Sequence, residues 1–250
     1  MPVKPMDTTL LVSLSHQLAS YRSMDVIANN IANASTPAFK RESVKFQEMV
    51  MQVQPAEGDA NTQTVSFVQD KGIVRDLTAG RIEATHAPFD FAVNGTGYFV
   101  VNTPNGDRYT RNGHFTLDSS GRLVTDDDDP VMGEGGPITV TADDGDIHVA
   151  QDGTISGKQG QIGKLRLVKF DDEHALKKEG SSLYSTDQSA QTTTDAKIEQ
   201  GMLENSNVEP VVEISHMLEV TRAYQATANL TQSQEDLMRQ AIDKLGSVNG

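Results

Sequence analysis

The N-terminal segment of the chain has hydrophobic side chains at the spacing of an amphipathic helix. Between Thr8 and Ala34 they follow one another mostly at steps of three and four residues, which places them on one helical face. Thr8 or Thr9 can cap the start, and Pro37 disfavours a helical conformation at the residue before it. The pattern predicts a helical segment over 1–35. Its hydrophobic positions are Leu11, Leu14, Leu18, Tyr21, Met24, Ile27, Ala28 and Ile31.

A second hydrophobic stripe with helical spacing occupies the C-terminal end. Pro210 fits the first turn of a helix, Ser206–Glu209 has the residue types of a capping box, and Gly246 is a suitable helix end. The pattern predicts a second helical segment over 206–250. Its hydrophobic positions are Met217, Val220, Tyr224, Leu230, Leu237, Met238, Ala241, Ile242 and Leu245.

Between the two helices the hydrophobic period changes to two, and turns containing Gly divide the chain into short runs. This predicts a central antiparallel β-rich domain over 81–188, with a connecting arm or loop over 36–80 and a return connection over 189–205. Gln52–Asn61 and Ser181–Thr194 are polar and are interpreted as connecting arms or loops. The expected fold class is α+β. The candidate strands are Phe89–Val93, Gly97–Val101, Arg108–Arg111, His114–Leu117, Leu123–Thr125, Ile138–Val140, Ile147–Val149 and Lys164–Phe170.

The hydrophobic stripes of the two helices require a surface that covers them. Burying a large apolar side chain contributes roughly 1.5–3 kcal/mol, so stripes left in water would forfeit well over about 10 kcal/mol. A pair made of these two helices alone would still expose much apolar surface, so we expect association with other copies of the chain. The candidate interface residues are Leu14, Leu18, Tyr21, Ile27, Ala28, Asn29, Ile31, Ala32, Asn33, Met217, Val220, Tyr224, Leu230, Leu237, Ala241 and Leu245.

The end of the first predicted helix combines small and polar residues four positions apart. Ala28 and Ala32 form a small strip that admits a close neighbour, and Asn29 and Asn33 form a polar strip beside it. An Asn at a packed seam costs stability and fixes register, which an ordered polymer requires. The alternative is an ordinary helix end where the Asn residues fray into a turn.

Charge and composition narrow the classes of function. The 250 residues carry a formal net charge of −14, which disfavours nucleic acid and anionic lipid as partners. Only 5% of the residues are aromatic and none is Trp or Cys, so aromatic-lined ligand pockets, disulfides and thiolate metal sites are not expected. The N-terminus lacks the features of a cleaved signal peptide, and no run approaches roughly 18 apolar residues, so we expect no direct membrane insertion.

No group of residues predicts catalysis, a cofactor or a metal ion. The loop beginning at Asp90 is not a calcium loop, because Ala92 cannot ligate and Val101 stands where a bidentate Glu belongs. Gly95–Gly97 and Gly160–Lys164 lack the spacing of a dinucleotide or phosphate loop. The histidines have no metal-ligand spacing. We therefore predict no catalytic, cofactor-binding or metal-binding residue.

Several separate stretches resemble one known family. Ala28–Asn33 and Ser35–Lys40 resemble the amino-terminal signature of the flagellar rod, hook and hook-associated proteins, and Gly201–Val208 resembles their carboxyl-terminal signature. Phe91–Val101 and Tyr109–Phe115 resemble the β-rich body of the rod and hook subunits. The resemblance covers nearly the whole chain, with its signatures in the family's order.

The resemblance implies a fold and a function. It implies terminal helices that pack together as a coiled-coil-like inner domain, with the β-rich domain outside. It implies a structural subunit of the bacterial flagellar basal-body rod that polymerises through its terminal helices into a hollow drive shaft for torque and for exported subunits. The expected partners are copies of itself, other proximal and distal rod subunits, and the flagellar type III export apparatus. Its details favour the proximal rod, and a distal rod or hook-type subunit is the alternative.

Two features depart from the family pattern. Ala38 stands where the family usually has Gly, so a left-handed turn there would be strained. Asp126–Asp152 contains nine acidic residues and no Lys or Arg, and we interpret it as a solvated outer rim rather than a cation site.

An alternative function of another class is a secreted β-rich hydrolase or carbohydrate-binding module. Its candidate surface residues are Tyr98, Phe99 and Tyr109, but alternation places neighbouring side chains on opposite faces of a sheet, so core packing explains them better.

Overall fold

The computed structural model describes residues 5–53, 63–193 and 195–247. These residues form an α+β fold with a long helix near each end, α1 (Pro5–Ala32) and α2 (Pro210–Ser247), and short antiparallel strands between them. The predicted cap at Thr8 or Thr9 is wrong, because α1 already includes Pro5, a residue suited to a first helical turn.

The chain divides into two units, each compact within itself. The first, which we call the helical unit, comprises residues 1–32, 42–75 and 209–250. The second, which we call the β body, comprises 33–41 and 76–208. The segment that follows α1, 33–41, therefore belongs to the β body. So does the segment that precedes α2 and ends at Val208.

The helical unit contains a long β-hairpin in addition to the two helices. Strands β1 (Glu42–Val53) and β2 (Gln63–Arg75) pair antiparallel, with a register shift between Val44 and Phe46. The hairpin contacts α1, and Arg22 of α1 lies 3.6 Å from Asp70 of β2. Two strands alone bury little apolar surface and are marginally stable, so packing against α1 stabilises the hairpin. The predicted connecting arm or loop over 36–80 therefore contains β1 and β2, and most of the predicted arm Gln52–Asn61 lies outside the described residues.

The β body consists of short strands in several small antiparallel sheets. Its largest sheet has six strands in the order β15-β16-β6-β5-β14-β17. The strands are β3 (Ile82–Ala84), β4 (Phe91–Asn94), β5 (Tyr98–Thr103), β6 (Gly106–Thr110), β7 (Thr116–Leu117), β8 (Leu123–Val124), β9 (Met132–Gly133), β10 (Gly136–Pro137), β11 (His148–Val149), β12 (Thr154–Gly157), β13 (Gly160–Lys164), β14 (Leu167–Lys169), β15 (Lys177–Lys178), β16 (Leu183–Ser185), β17 (Gln191–Thr192), β18 (Lys197–Gln200) and β19 (Met202–Glu204).

The six-stranded sheet separates two hydrophobic clusters. Successive residues of a strand point to opposite faces, so Phe99 and Val101 of β5 join one cluster, and Tyr98 and Val100 join the other. All four are buried. The predicted surface of Tyr98 and Phe99 in a hydrolase or binding module is therefore core, whereas Tyr109 is half-buried beside the Phe170 ring.

Three other predictions about this region are wrong. Ile138–Val140 forms no strand, although Thr139 makes an isolated bridge with Arg122. The predicted strand Lys164–Phe170 is broken, with Lys164 ending β13 and Leu167 beginning β14. The predicted loop Ser181–Thr194 contains β16 and β17 within the residues described. Turn residues and very short strands carry little periodic signal, which accounts for these errors.

Gly113 offers a direct test of packing in the β body. Its carbonyl accepts a hydrogen bond from the Phe91 N–H at 3.0 Å, and an added Cβ would overlap the Phe91 carbonyl oxygen. We expect Gly113→Ala to lower the free energy of unfolding by about 1–3 kcal/mol, because the backbone must shift. Denaturant unfolding measures the change. Gly135→Ala is the control, since a Cβ there meets nothing within 4 Å, and equal midpoints for both variants would contradict the packing.

Candidate subunit interface

The exposed face of α1 has a continuous hydrophobic stripe. Leu11, Leu14, Leu18 and Tyr21 are 46%, 47%, 62% and 61% exposed, and their spacing of three and four residues places them along one line. Large side chains this exposed form a contiguous patch of the kind that marks an interaction site. The first half of the predicted stripe is thus on the surface of the helical unit. We call it the α1 stripe.

A different face of α1 packs against α2. Thr221 of α2 lies 3.7 Å from the Met24 sulfur, and Asn30 bonds to Glu213, so the two helices run antiparallel. Ile27 is buried and Ile31 is half-buried. The apolar residues in the second half of α1 therefore pack within one subunit, whereas those of the α1 stripe remain exposed.

The α2 candidates separate in the same way. Met217, Val220 and Tyr224 are half-buried at positions near Glu213 and Thr221, whereas Leu230 and Leu237 are 53% and 63% exposed. The side chains of Ala241 and Leu245 lie outside the described residues. A second exposed set was missed, although its three- and four-residue spacing was a signal. It consists of Val211, Ile214 and Leu218, which are 78%, 50% and 54% exposed.

The small and polar strips at the end of α1 lie mostly at the surface. Ala28, Asn29 and Ala32 are exposed, and Asn33 is half-buried. Thr36 donates its hydroxyl and its backbone N–H to Asn33, at 3.2 and 3.1 Å, which closes a turn after the helix. The fully buried Asn of this segment is Asn30, which lies between the two positions that the sequence indicated.

A buried charge cluster joins three distant segments of the β body. Glu204, at the end of β19, accepts from Lys40 Nζ at 2.6 Å and from Arg111 Nε at 3.0 Å. The three side chains are 1%, 5% and 8% exposed. The Gly80 N–H also donates to Glu204, at 2.9 Å, and Lys40 donates to the Thr78 carbonyl at 2.7 Å. Sequence reasoning missed this cluster, although its charged residues lie inside the family-like stretches.

Electrostatics favour the ionised form of Glu204. Its burial opposes ionisation, but the neighbouring charges of Arg111 and Lys40, with the hydrogen bonds of Lys40 and Gly80, outweigh that effect and hold the pKa of the carboxyl below its usual 4.5. Arg111 is further fixed by donating to the carbonyls of Val93, Gly95 and Gly97, at 3.0–3.1 Å. The cluster therefore binds the segment after α1, through Lys40, to the segment before α2, through Glu204.

Ala38 and Asn207 add further hydrogen bonds between these two segments. Ala38 has a left-handed backbone with φ of 55°, so the turn is kept although Ala replaces the family's usual Gly, and its N–H donates to the Glu204 carbonyl at 2.7 Å. Asn207 accepts from the Arg41 N–H at 2.6 Å and donates to the Asp76 and Thr78 carbonyls, each at 3.0 Å. The predicted capping box is wrong, because Ser206 lies four residues before α2 and its hydroxyl accepts from the Val208 N–H.

One polar cavity of about 180 Å³ lies within the β body. His114 Nδ1 there is 2.7 Å from the buried Asp90 carboxylate, and Nε2 is 3.9 Å from Asp126. Asp126, Asp127 and Asp128 are exposed, as expected of a solvated rim. Within the described ranges, no three His, Asp or Glu side chains are placed to hold a metal ion. The cavity is lined by Thr36, Thr110, Asn112, His114, Thr125, Asp126, Asp127, Ser181, Ser182 and Leu183.

Comparison with known proteins matches these regions to one family. Residues 13–40 match the family described as flagella basal body rod protein, 92–157 match the D1 domain of the flagellar hook protein FlgE/F/G, and 199–244 match the C-terminal part of the flagellar basal body rod FlgEFG protein. The chain is 40% identical to the flagellar basal-body rod protein FlgF of Caulobacter vibrioides, over 98% of this chain and 100% of that protein. The chain belongs to the flagellar basal-body rod protein family.

Other rod proteins match over similar lengths. FlgF of Mesorhizobium japonicum is 33% identical over 97% of this chain and 99% of its own length, and FlgG of Bacillus subtilis is 31% identical over 88% and 92%. The chain is therefore a structural rod subunit that resembles FlgF and, next, FlgG, and a β-rich hydrolase is not favoured. Neither helix, over its described residues, has the length and hydropathy needed to cross a bilayer.

Proposed function

We propose that this rod protein is a subunit of the proximal rod, which polymerises through its terminal helices into a hollow shaft. In this proposal α1 and α2 of each subunit form a coiled-coil-like pair at the inner wall, and the β body lies outside. The shaft transmits torque and lets exported subunits pass. A distal rod or hook-type subunit is the alternative. The 40% identity to FlgF of Caulobacter vibrioides, against 31% to FlgG of Bacillus subtilis, supports a FlgF-like subunit and with it the proximal assignment.

The observation that carries the proposal is the α1 stripe. Four large apolar side chains in line, each about half exposed or more, lose their contact with water when a neighbouring helix covers them. The exposed Val211, Ile214 and Leu218 of α2 present a second apolar surface of similar spacing. Two different surfaces that fit each other on successive copies make a heterologous contact, which grows into a filament instead of closing into a dimer.

The proposal also covers partners, location and chemistry. The subunit contacts copies of itself and other proximal and distal rod subunits. It reaches the periplasm-spanning rod through the flagellar type III export apparatus. It binds no nucleic acid, does not insert into the membrane, and acts mechanically rather than as an enzyme. The charge of −14 and the membership in a structural family support these statements.

Photocross-linking in cells tests the proposal. A photoreactive amino acid at Leu18 should give adducts with other copies of the chain and with neighbouring rod subunits in purified basal bodies, because this side chain is 62% exposed. A label on the exposed Ser119 of the β body should locate the subunit at the inner end of the rod. Labelling confined to the distal segment would overturn the proximal assignment, and adducts only within one chain would overturn polymerisation through α1.

A further inference from the structure

Asn30 lies where three elements of the helical unit meet. Its side chain is 0% exposed. The amide oxygen accepts from the Glu42 N–H at 2.9 Å, and the amide nitrogen donates to the Glu42 carbonyl at 2.8 Å. The same nitrogen donates to the Glu213 carboxylate at 3.1 Å. One side chain of α1 therefore binds the first residue of β1 and the first turn of α2.

Other polar side chains near the helix pair carry little information about register. The hydroxyls of Ser23, Thr221 and Thr231 donate to carbonyls one turn earlier in their own helices, at 2.7–3.0 Å. Such bonds satisfy the hydroxyl locally and persist when one helix slides along the other. Across the pair, the Thr221 hydroxyl is also 3.7 Å from the Met24 sulfur, which is a weak acceptor. Small side chains recurring at each turn also pack similarly after a shift of one turn, about 5.4 Å.

The Asn30–Glu213 contact changes when the helices slide. A shift by one turn would take the Asn30 amide away from Glu213. It would bring that amide beside Met217, whose thioether is a weak acceptor, or, in the other direction, beside Glu209, which precedes the first residue of α2. Glu213 is 1% exposed, and a buried carboxylate that loses a hydrogen bond is strongly disfavoured. The shift would also separate α2 from the amide that holds Glu42 at the start of the hairpin. The neighbouring Asn29, by contrast, is exposed at the surface of α1.

We propose that Asn30 is the positioning residue that sets the register of α1 against α2 and anchors the start of the hairpin to the helix pair. This inference rests on the proposed function for its biological meaning, because the register decides how the exposed stripes of the two helices are aligned for the next subunit. A buried polar residue that specifies helix register is an established physical device.

Cysteine pairs in the full-length protein test the register. The chain contains no Cys, so introduced pairs report without background. A pair at Met24 and Thr221, whose side chains touch, should oxidise at least about tenfold faster than pairs shifted by one turn, Met24 with Met217 or Met24 with Gln225; tenfold corresponds to about 1.4 kcal/mol. Asn30→Leu should reduce this preference to about twofold or less. Asn229→Leu, the same change at an exposed site of α2, should leave it unchanged.

A second variant covers the case in which Asn30→Leu does not fold. Asn30→Asp keeps the shape and the acceptor for the Glu42 N–H, loses the amide donor, and faces Glu213 with a like charge. It should reduce the preference in the same way. The inference is overturned when the unsubstituted chain shows no preference for the 24–221 pair, or when folded Asn30 variants keep it. Charged substitutions in the α1 stripe should leave this register intact, so a failure of assembly is distinguishable from a failure of register.

Discussion

A chain with Leu14→Glu and Leu18→Glu should fold normally, fail to enter the rod and leave cells unable to swim. The two side chains are 47% and 62% exposed, so in the free subunit the change resembles a surface substitution, worth about 0.5 kcal/mol or less. In the proposed polymer both positions meet a neighbouring helix. Carboxylates buried there without partners cost several kcal/mol (roughly 2–7 kcal/mol for even an uncharged polar group), which lowers association by about a hundredfold or more.

Motility in soft agar and the amount of the subunit in purified basal bodies measure this effect. Circular dichroism and the unfolding midpoint of the purified chain check that the variant folds. Leu117→Glu is the matched control, since Leu117 is 36% exposed but belongs to the β body. It should swim and assemble. Normal rods from the doubly charged chain would rule out the α1 stripe as the contact between subunits.

Glu204→Gln should lower the free energy of unfolding of the β body by about 3–5 kcal/mol, since it leaves Lys40 and Arg111 buried without their counter-charge. Denaturant unfolding at neutral pH measures the loss. Glu179→Gln is the matched control, because Glu179 pairs with Arg108 at the surface of the same unit, where its side chain is 38% exposed. It should change the midpoint little. Equal effects of the two substitutions would show that burial of the cluster is irrelevant.

The acid dependence of stability follows from the same carboxyl. The pKa of Glu204 in the folded chain lies below its usual 4.5, so the contribution of its charge is complete above about pH 4.5 and is lost as the pH falls through the lowered value. A protonated Glu204 resembles Gln. The difference in unfolding free energy between the unsubstituted chain and Glu204→Gln should therefore shrink as the pH falls below 4.5, and a difference that stays constant to pH 2 would contradict the assigned pKa.

The terminal helices and the family could be predicted from the sequence because their signals are long. A helical period sustained from Leu11 to Ile31 is difficult to produce by chance, and Pro210 lies in the first turn of α2 as expected. Strands β4 and β5 were also predicted, since their short apolar runs are flanked by turns containing Gly. The β1–β2 hairpin was not predicted, because its strands mix polar with apolar residues and flank the polar stretch Gln52–Asn61, a composition typical of a loop.

The roles of individual residues were harder to predict. Periodicity alone does not distinguish the α1 stripe from Met24 and Ile27, because all of these residues are apolar. Only the packing shows that Met24 and Ile27 lie on the side of α2 and that the α1 stripe faces solvent. The cluster of Lys40, Arg111 and Glu204 joins residues far apart in the chain, so no local pattern reveals it. Asn30 is separated from its neighbour Asn29 by burial alone.

The most direct test of the account is the accessibility of position 18 before and after assembly. A Leu18→Cys chain, which has this single thiol, is treated with a maleimide as free subunit, in purified rods and in the same rods after dissociation. We predict rapid labelling of the free and dissociated subunit and protection of at least about tenfold in intact rods, because in the proposed polymer a neighbouring helix covers the α1 stripe. Equal labelling in all three states would contradict the claim that sister subunits close this surface.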